Sequence, residues 1–146
     1  MSNINKFDYV KNADTDVSLP SRSTSHSAGY DFHSPKAFKL MPHETILLNS
    51  GVKCQVKDGE FLMILPRSSL GFKANNHIVL TNTVGVIDAD YYNNPNNEGE
   101  ICIKLYNMST YTFEVNKNDR LVQGVFVKYD TTCDDACETK RNVGLS

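Results

Sequence analysis

Short apolar, β-branched segments return along this chain at roughly 8–12-residue intervals, each closed by Gly, Pro, Asn, Asp or Ser. No apolar pattern of helical period is sustained over about ten residues. A chain with that rhythm cannot bury its apolar surface by packing helices together. It must stack short strands, so the pattern predicts an all-β barrel or sandwich. The strand candidates are Lys6–Val10, Phe38–Leu40, Thr45–Leu48, Val52–Val56, Phe61–Leu65, His77–Thr81, Gly85–Ile87, Glu100–Tyr106, Tyr111–Val115 and Leu121–Tyr129. A short segment, Ala28–Phe32, lies between the Ser/Pro-rich stretch Ser18–Ser27 and Ser34-Pro35. Asp58-Gly59 is a hairpin turn signal. Pro66 ends a strand, and Ser68 and Ser69 can cap one short helix reaching about Asn75.

With 146 residues the chain suits one domain, and a domain of that size buries about two thirds of its unfolded surface, so it needs no disulfide staple. We place the domain at residues 1–130 and read 131–146, acidic and polar, as a mobile C-terminal arm. A net charge of −2 gives no basic footprint for nucleic acid, so an anionic ligand must be held by local groups. No apolar run reaches membrane-spanning length, and Met1–Asp14 has no signal-peptide core, which predicts an intracellular chain with reduced thiols. Cys54 and Cys102 sit in apolar strand contexts and read as small core residues. Cys133 and Cys137 would need two further ligands to hold zinc, and none is placed nearby.

Four segments ask for more than scaffold. They are Ala28-Gly29-Tyr30-Asp31, Pro66-Arg67-Ser68-Ser69-Leu70-Gly71, the run Asn82 to Tyr91 (Asn-Thr-Val-Gly-Val-Ile-Asp-Ala-Asp-Tyr), and Asp119-Arg120-Leu121-Val122-Gln123-Gly124. Taken alone, Arg67-Ser68-Ser69 at a strand end is a plausible phosphate cradle, from backbone N–H groups, hydroxyls and a guanidinium. The plainer reading is a helix cap beside a surface arginine. Asp88 is a carboxylate able to take a proton from water, or simply a turn residue. Asp90, two positions on, would point to the opposite face of a strand and reads as structural or salt-bridged.

In this order and spacing, the four segments resemble the first four of the five motifs of the trimeric dUTPases, over about Lys6 to Tyr129. The resemblance implies a distorted jelly-roll-like β-barrel with one short helix, assembled as a homotrimer. It implies hydrolysis of dUTP to dUMP and pyrophosphate with Mg2+ as cofactor. Asp88 would bind the deoxyribose 3′-hydroxyl and orient the attacking water. Arg67, Ser68, Ser69 and Gln123 would contact the phosphates. Asn82, Gly85, Val86, Ile87 and the region of Ile101 and Cys102 would frame the uracil, largely through backbone. Tyr91 would press its ring on the sugar and exclude a 2′-hydroxyl. Asp31 would support Mg2+ through water, as suits an ion that keeps much of its hydration.

Two departures stand out. Asn93–Glu98 is inserted where most relatives turn directly from Tyr to Gly-Glu, and is expected either to cap the sugar or to meet a neighbouring subunit. Of the family's Gly-rich arm, which orders over the bound nucleotide and carries an Arg and a Phe, Arg141 and Gly144 fit the start and Leu145 stands where the Phe would be; the arm is either short by nature or cut, and if it is crippled, turnover should fall more than nucleotide affinity. Two other readings stay open: a relative of the dCTP deaminases, which share the barrel, and a nucleotide-gated binding protein acting on a partner regulator, as some phage-encoded dUTPases do.

Overall fold

A computed structural model of the chain describes residues 3–141. Gly144 and Leu145, expected at the start of the arm, lie outside the described residues. Eleven strands run in chain order: β1 (Lys6–Tyr9), β2 (Tyr30–His33), β3 (Phe38–Leu40), β4 (Thr45–Asn49), β5 (Val52–Gln55), β6 (Glu60–Pro66), β7 (Ile78–Leu80), β8 (Gly85–Ile87), β9 (Cys102–Asn107), β10 (Phe113–Val115) and β11 (Arg120–Lys128). A single turn of α-helix, α1 (Ser68–Gly71), separates β6 from β7, and a 3-10 turn follows β8 at Ala89–Tyr91. The all-β expectation holds. Among the described residues the hydrogen-bonded ladders form four separate sheets, in orders β2-β11-β6-β8, β4-β9-β7, β1-β5 and β10-β3. The expected barrel is therefore not closed by strand pairing.

All these pairings are antiparallel. Alternation builds the core in the way the sequence pattern requires: in β9, Ile103 and Leu105 point inward while Lys104 between them is exposed. Phe32, Leu48, Leu62, Leu105 and Val122 meet in one apolar cluster spanning the two larger sheets. Cys54 belongs to it, and burial pushes its thiol up to about 12, so it remains a protonated core residue. Asn107, wholly buried at the end of β9, donates from Nδ2 to the carbonyls of Leu40 and Tyr111 at 2.9 and 2.8 Å, which ties β3, β9 and β10 together.

Two local expectations change. Asp58-Gly59 does make a turn, with Glu60 N–H donating to Lys57 O at 3.1 Å, but it is not a hairpin. The strands on either side part: β5 pairs with β1, and β6 with β11 and β8. The helix ends at Gly71, not near Asn75, and Arg67 holds its N-cap position without a side-chain cap. Only Leu70 anchors it, Lys73 and Ala74 one turn later are exposed, and Ala74 adopts a φ of +47° that no α-helix continues through.

Candidate active site

The sheet β2-β11-β6-β8 positions most of the singled-out residues. Strand β8 is an edge strand: it pairs with β6 in the register Leu62↔Ile87, Met63↔Val86 and Ile64↔Gly85, and no other strand lies against it among the described residues. Its residues Gly85, Val86 and Ile87 line a cavity of about 320 Å³ together with Asn82, Tyr91, Cys102 and Arg141, with Ile64, Leu80 and Val84 completing the wall. Residues from distant parts of the chain thus meet in one pocket, in the size range of a small-ligand site. Cys102 faces it half-buried instead of joining the core, and burial raises its thiol pKa, so it presents an uncharged wall.

Asp88 follows β8, and the chain then coils into the 3-10 turn. This corrects the direction expected for Asp90, while its salt-bridged state is as expected. In a strand the two carboxylates would diverge, but the turn swings both toward Arg141, whose Nη2 donates to Asp88 Oδ2 and whose Nε donates to Asp90 Oδ1, each at 2.7 Å. The guanidinium is 13% exposed, sits 5.9 Å above the Tyr91 ring, and has its pKa raised further by the Asp90 bond. The same pair of carboxylates borders a second depression formed with Tyr129 and the tail residues Cys137 to Arg141, and Arg141 lines both.

Tyr91 is buried, and its hydroxyl donates to Glu100 O at 2.8 Å. Burial pushes its phenol pKa up. The insertion packs on its own chain around this ring: Asn94 Nδ2 donates to Tyr91 O at 2.7 Å, and Asn97 Nδ2 donates to the Tyr91 hydroxyl at 2.9 Å. Lys53, 12% exposed, pins the far side through Glu98 Oε2 at 2.7 Å and Asn93 Oδ1 at 2.6 Å. The loop closes at Gly99, which has a φ of +87° and backbone packed close against it; an added Cβ would stand 2.6 Å from Tyr91 O and 2.9 Å from Asn93 N. Gly99→Ala should cost at least about 1 kcal/mol, seen as a lower Tm, because both the dihedral and the backbone clash oppose it.

The second group of residues lines a separate depression of about 310 Å³: Gly29, Asp31, Arg67, Ser68 and Gln123, joined by Ser23, Ser27 and Ala28. Arg67 Nε donates to Asp31 Oδ1 at 2.9 Å, and Arg120 Nη1 stands 3.8 Å from Asp31 Oδ2. Asp31 is thus a buried carboxylate that orients Arg67. Gln123, opposite Asp31 across the β2–β11 ladder, donates to Pro66 O at 3.1 Å. Its side chain fills the space beside Gly29 where a Cβ would sit, which explains why the first motif needs glycine there. Ser69 lines an adjoining groove with Lys73, Asn76 and Arg120, and Arg67 lines that groove as well as the cradle. The Ser-rich loop before Gly29 supplied lining hydroxyls that spacing alone had not singled out. The two depressions share no lining residue.

Among the described residues no group of three or more His, Cys, Asp or Glu stands ready to hold a metal, and no helix is long and apolar enough to cross a membrane.

The dUTPase family model matches residues 15–144. A deoxyuridine 5′-triphosphate nucleotidohydrolase of Lactococcus lactis subsp. lactis (strain IL1403) is 42% identical over 113 residues, covering 77% of this chain and 74% of that protein. The dUTPase of Streptococcus mutans superposes with a TM-score of 0.77 at 39% identity, over 86% of this chain and 97% of the other. A point variant of the dUTPase from phage phi11 of S. aureus, whose structure reveals the coordination of a structural Mg(II) ion, shares the fold at a TM-score of 0.71 and 20% identity, over 94% of this chain and 98% of its own. The chain belongs to the dUTPase family. Its class is accordingly that of an enzyme, a dUTP diphosphatase.

Proposed function

We propose that the chain hydrolyses dUTP to dUMP and pyrophosphate at a site assembled from both depressions, with the pocket beside β8 taking the nucleoside and the Arg67 cradle taking the phosphates. The observation that carries this reading is that β8, an edge strand among the described residues, lines the pocket together with Asn82, Tyr91 and Cys102. Uracil offers an acceptor, a donor and an acceptor along one side, and an edge strand offers alternating N–H and C=O groups of fixed spacing. Cytosine placed there would leave buried polar groups unpaired, a mismatch that discriminates by about 10⁴ or more. Asn82 and Cys102 close the base end, and Tyr91 walls the sugar.

Asp88 binds the 3′-hydroxyl and orients the water that attacks the α-phosphorus in line. It accepts the water's proton as the P–O bond forms and pyrophosphate departs. Arg67, Ser68 and Gln123 bear on the charge that grows on the phosphate oxygens. Ser69 adds its backbone N–H at the strand end. Asp31 would help hold Mg2+ through water, and the ion would supply Lewis-acid stabilisation of that charge. Arg141 has to release Asp88 for the 3′-hydroxyl to bind, and is then free to meet the phosphates. Because the two depressions share no residue, the reading includes a homotrimer in which one subunit's pocket is completed by another subunit's cradle.

Pyrophosphate release assayed with dUTP, dTTP, dCTP and UTP, with and without Mg2+, tests the reading. The expected result is release confined to dUTP and dependent on Mg2+. Ammonia release from dCTP would overturn it in favour of deamination, and a monomeric mass at assay concentration would remove the shared site.

A further inference from the structure

We propose that Asn97, in the inserted loop, is a positioning residue for sugar selection: it fixes the Tyr91 ring at the angle that excludes a ribose. The inference rests on the reading of Tyr91 as the sugar wall. A ring discriminates between hydrogen and hydroxyl at C2′ only if it cannot swing aside, because a shift of about 1 Å already makes room for an oxygen. Packing alone leaves a tyrosine at a pocket wall two soft torsions, χ1 and χ2, through which it can swing away from the ligand.

Here that freedom is removed at both ends of the residue. The hydroxyl is held as donor by Glu100 O at 2.8 Å and as acceptor by Asn97 Nδ2 at 2.9 Å. Its backbone carbonyl is held by Asn94 Nδ2 at 2.7 Å. Asn97 is itself aimed: its Oδ1 accepts from Asn94 Nδ2 at 2.8 Å and from Gly99 N–H at 3.0 Å, which leaves Nδ2 pointing at the phenol. Asn94, 5% exposed, receives the N–H groups of Asn96 and Asn97 on its Oδ1. The Asn-rich stretch is therefore an amide network with two amide groups directed at Tyr91: Asn94 Nδ2 meets its carbonyl, and Asn97 Nδ2 meets its hydroxyl and, more weakly at 3.4 Å, Glu100 O. A solvated loop serving only as a spacer would have no reason to bury Asn94 or to direct Asn97 inward.

The test compares kcat/KM for dUTP with kcat/KM for UTP in five proteins: wild type, Asn97→Ala, Tyr91→Phe, the double variant, and Tyr91→Ala. In Asn97→Ala the preference for dUTP is expected to fall about tenfold, the scale on which a loosened pocket wall loses discrimination. Tyr91→Phe keeps the ring and deletes only the hydroxyl, so it should lose the preference to a similar degree. The double variant should lose no more than either single change. A general loss of stability would lower both substrates' rates together and leave their ratio alone. An unchanged ratio in Asn97→Ala and Tyr91→Phe, alongside a collapsed ratio in Tyr91→Ala, overturns the positioning role while leaving Tyr91 as the wall. An unchanged ratio in Tyr91→Ala overturns the sugar-wall reading itself, and the role of Asn97 with it.

Discussion

Asp88→Asn should lower the steady-state rate of pyrophosphate release from dUTP by about 10²–10⁴-fold, the range expected when a general base is replaced by a group that cannot accept a proton. The amide keeps the size of the carboxylate and can still accept from Arg141, so the local fold persists. The side chain is 46% exposed, which keeps the cost to stability small. Nucleotide affinity, measured by calorimetry with a non-hydrolysable dUTP analogue, should change far less than the rate. A variant that turns over within about threefold of wild type, far inside that range, would exclude Asp88 as the base and move attention to the other carboxylate of the pair, Asp90.

Arg67→Ala has the second largest expected effect, and it is felt in two measurements. Asp31 has a side chain only 9% exposed and loses its 2.9 Å charge-assisted bond. Arg120, 3.8 Å away and half exposed, compensates in part. A buried carboxylate stripped of its main partner costs about 2–3 kcal/mol after that compensation, seen as a lower urea midpoint at unchanged slope. The same change empties the cradle of its guanidinium, so KM for dUTP should rise as well. Arg67→Lys should restore little of either, because an ammonium cannot donate to Asp31 and to a phosphate with the geometry of a planar fork. Full stability in Arg67→Ala would mean that Asp31 is held by other groups.

The motifs were legible because each concentrates rare demands in a few residues. Glycine at 29 makes room for Gln123, and Asn82, Tyr91 and Cys102 frame one pocket. Strands such as β9 and β11 were legible as short apolar runs bounded by turn residues, with ends displaced by a residue or two. Other features were not. Asp90 was misplaced because alternation predicts direction only while the chain stays extended, and it leaves the strand at Asp88. The role of the insertion was hidden because an Asn-rich loop reads the same whether its amides face water or a tyrosine. Asn107 was hidden for a related reason: an asparagine after a strand resembles a turn residue, and only three converging segments make it a buried junction. Where Arg141 would fold back was likewise beyond any local pattern, since its partners lie 51 and 53 positions earlier.

The geometry of that arginine sets how it lets go. Its two contacts use different nitrogens on different carboxylates, Nη2 to Asp88 and Nε to Asp90. A guanidinium bound in this way can surrender one partner while it keeps the other. An incoming hydroxyl that claims Asp88 therefore has to break one charge-assisted bond, not a pair at once, and the arm stays tethered at Asp90 during the exchange. Opening proceeds as two small steps in series, each with its own modest barrier, and the tether keeps the freed end of the arginine at high local concentration beside the ligand that displaced it.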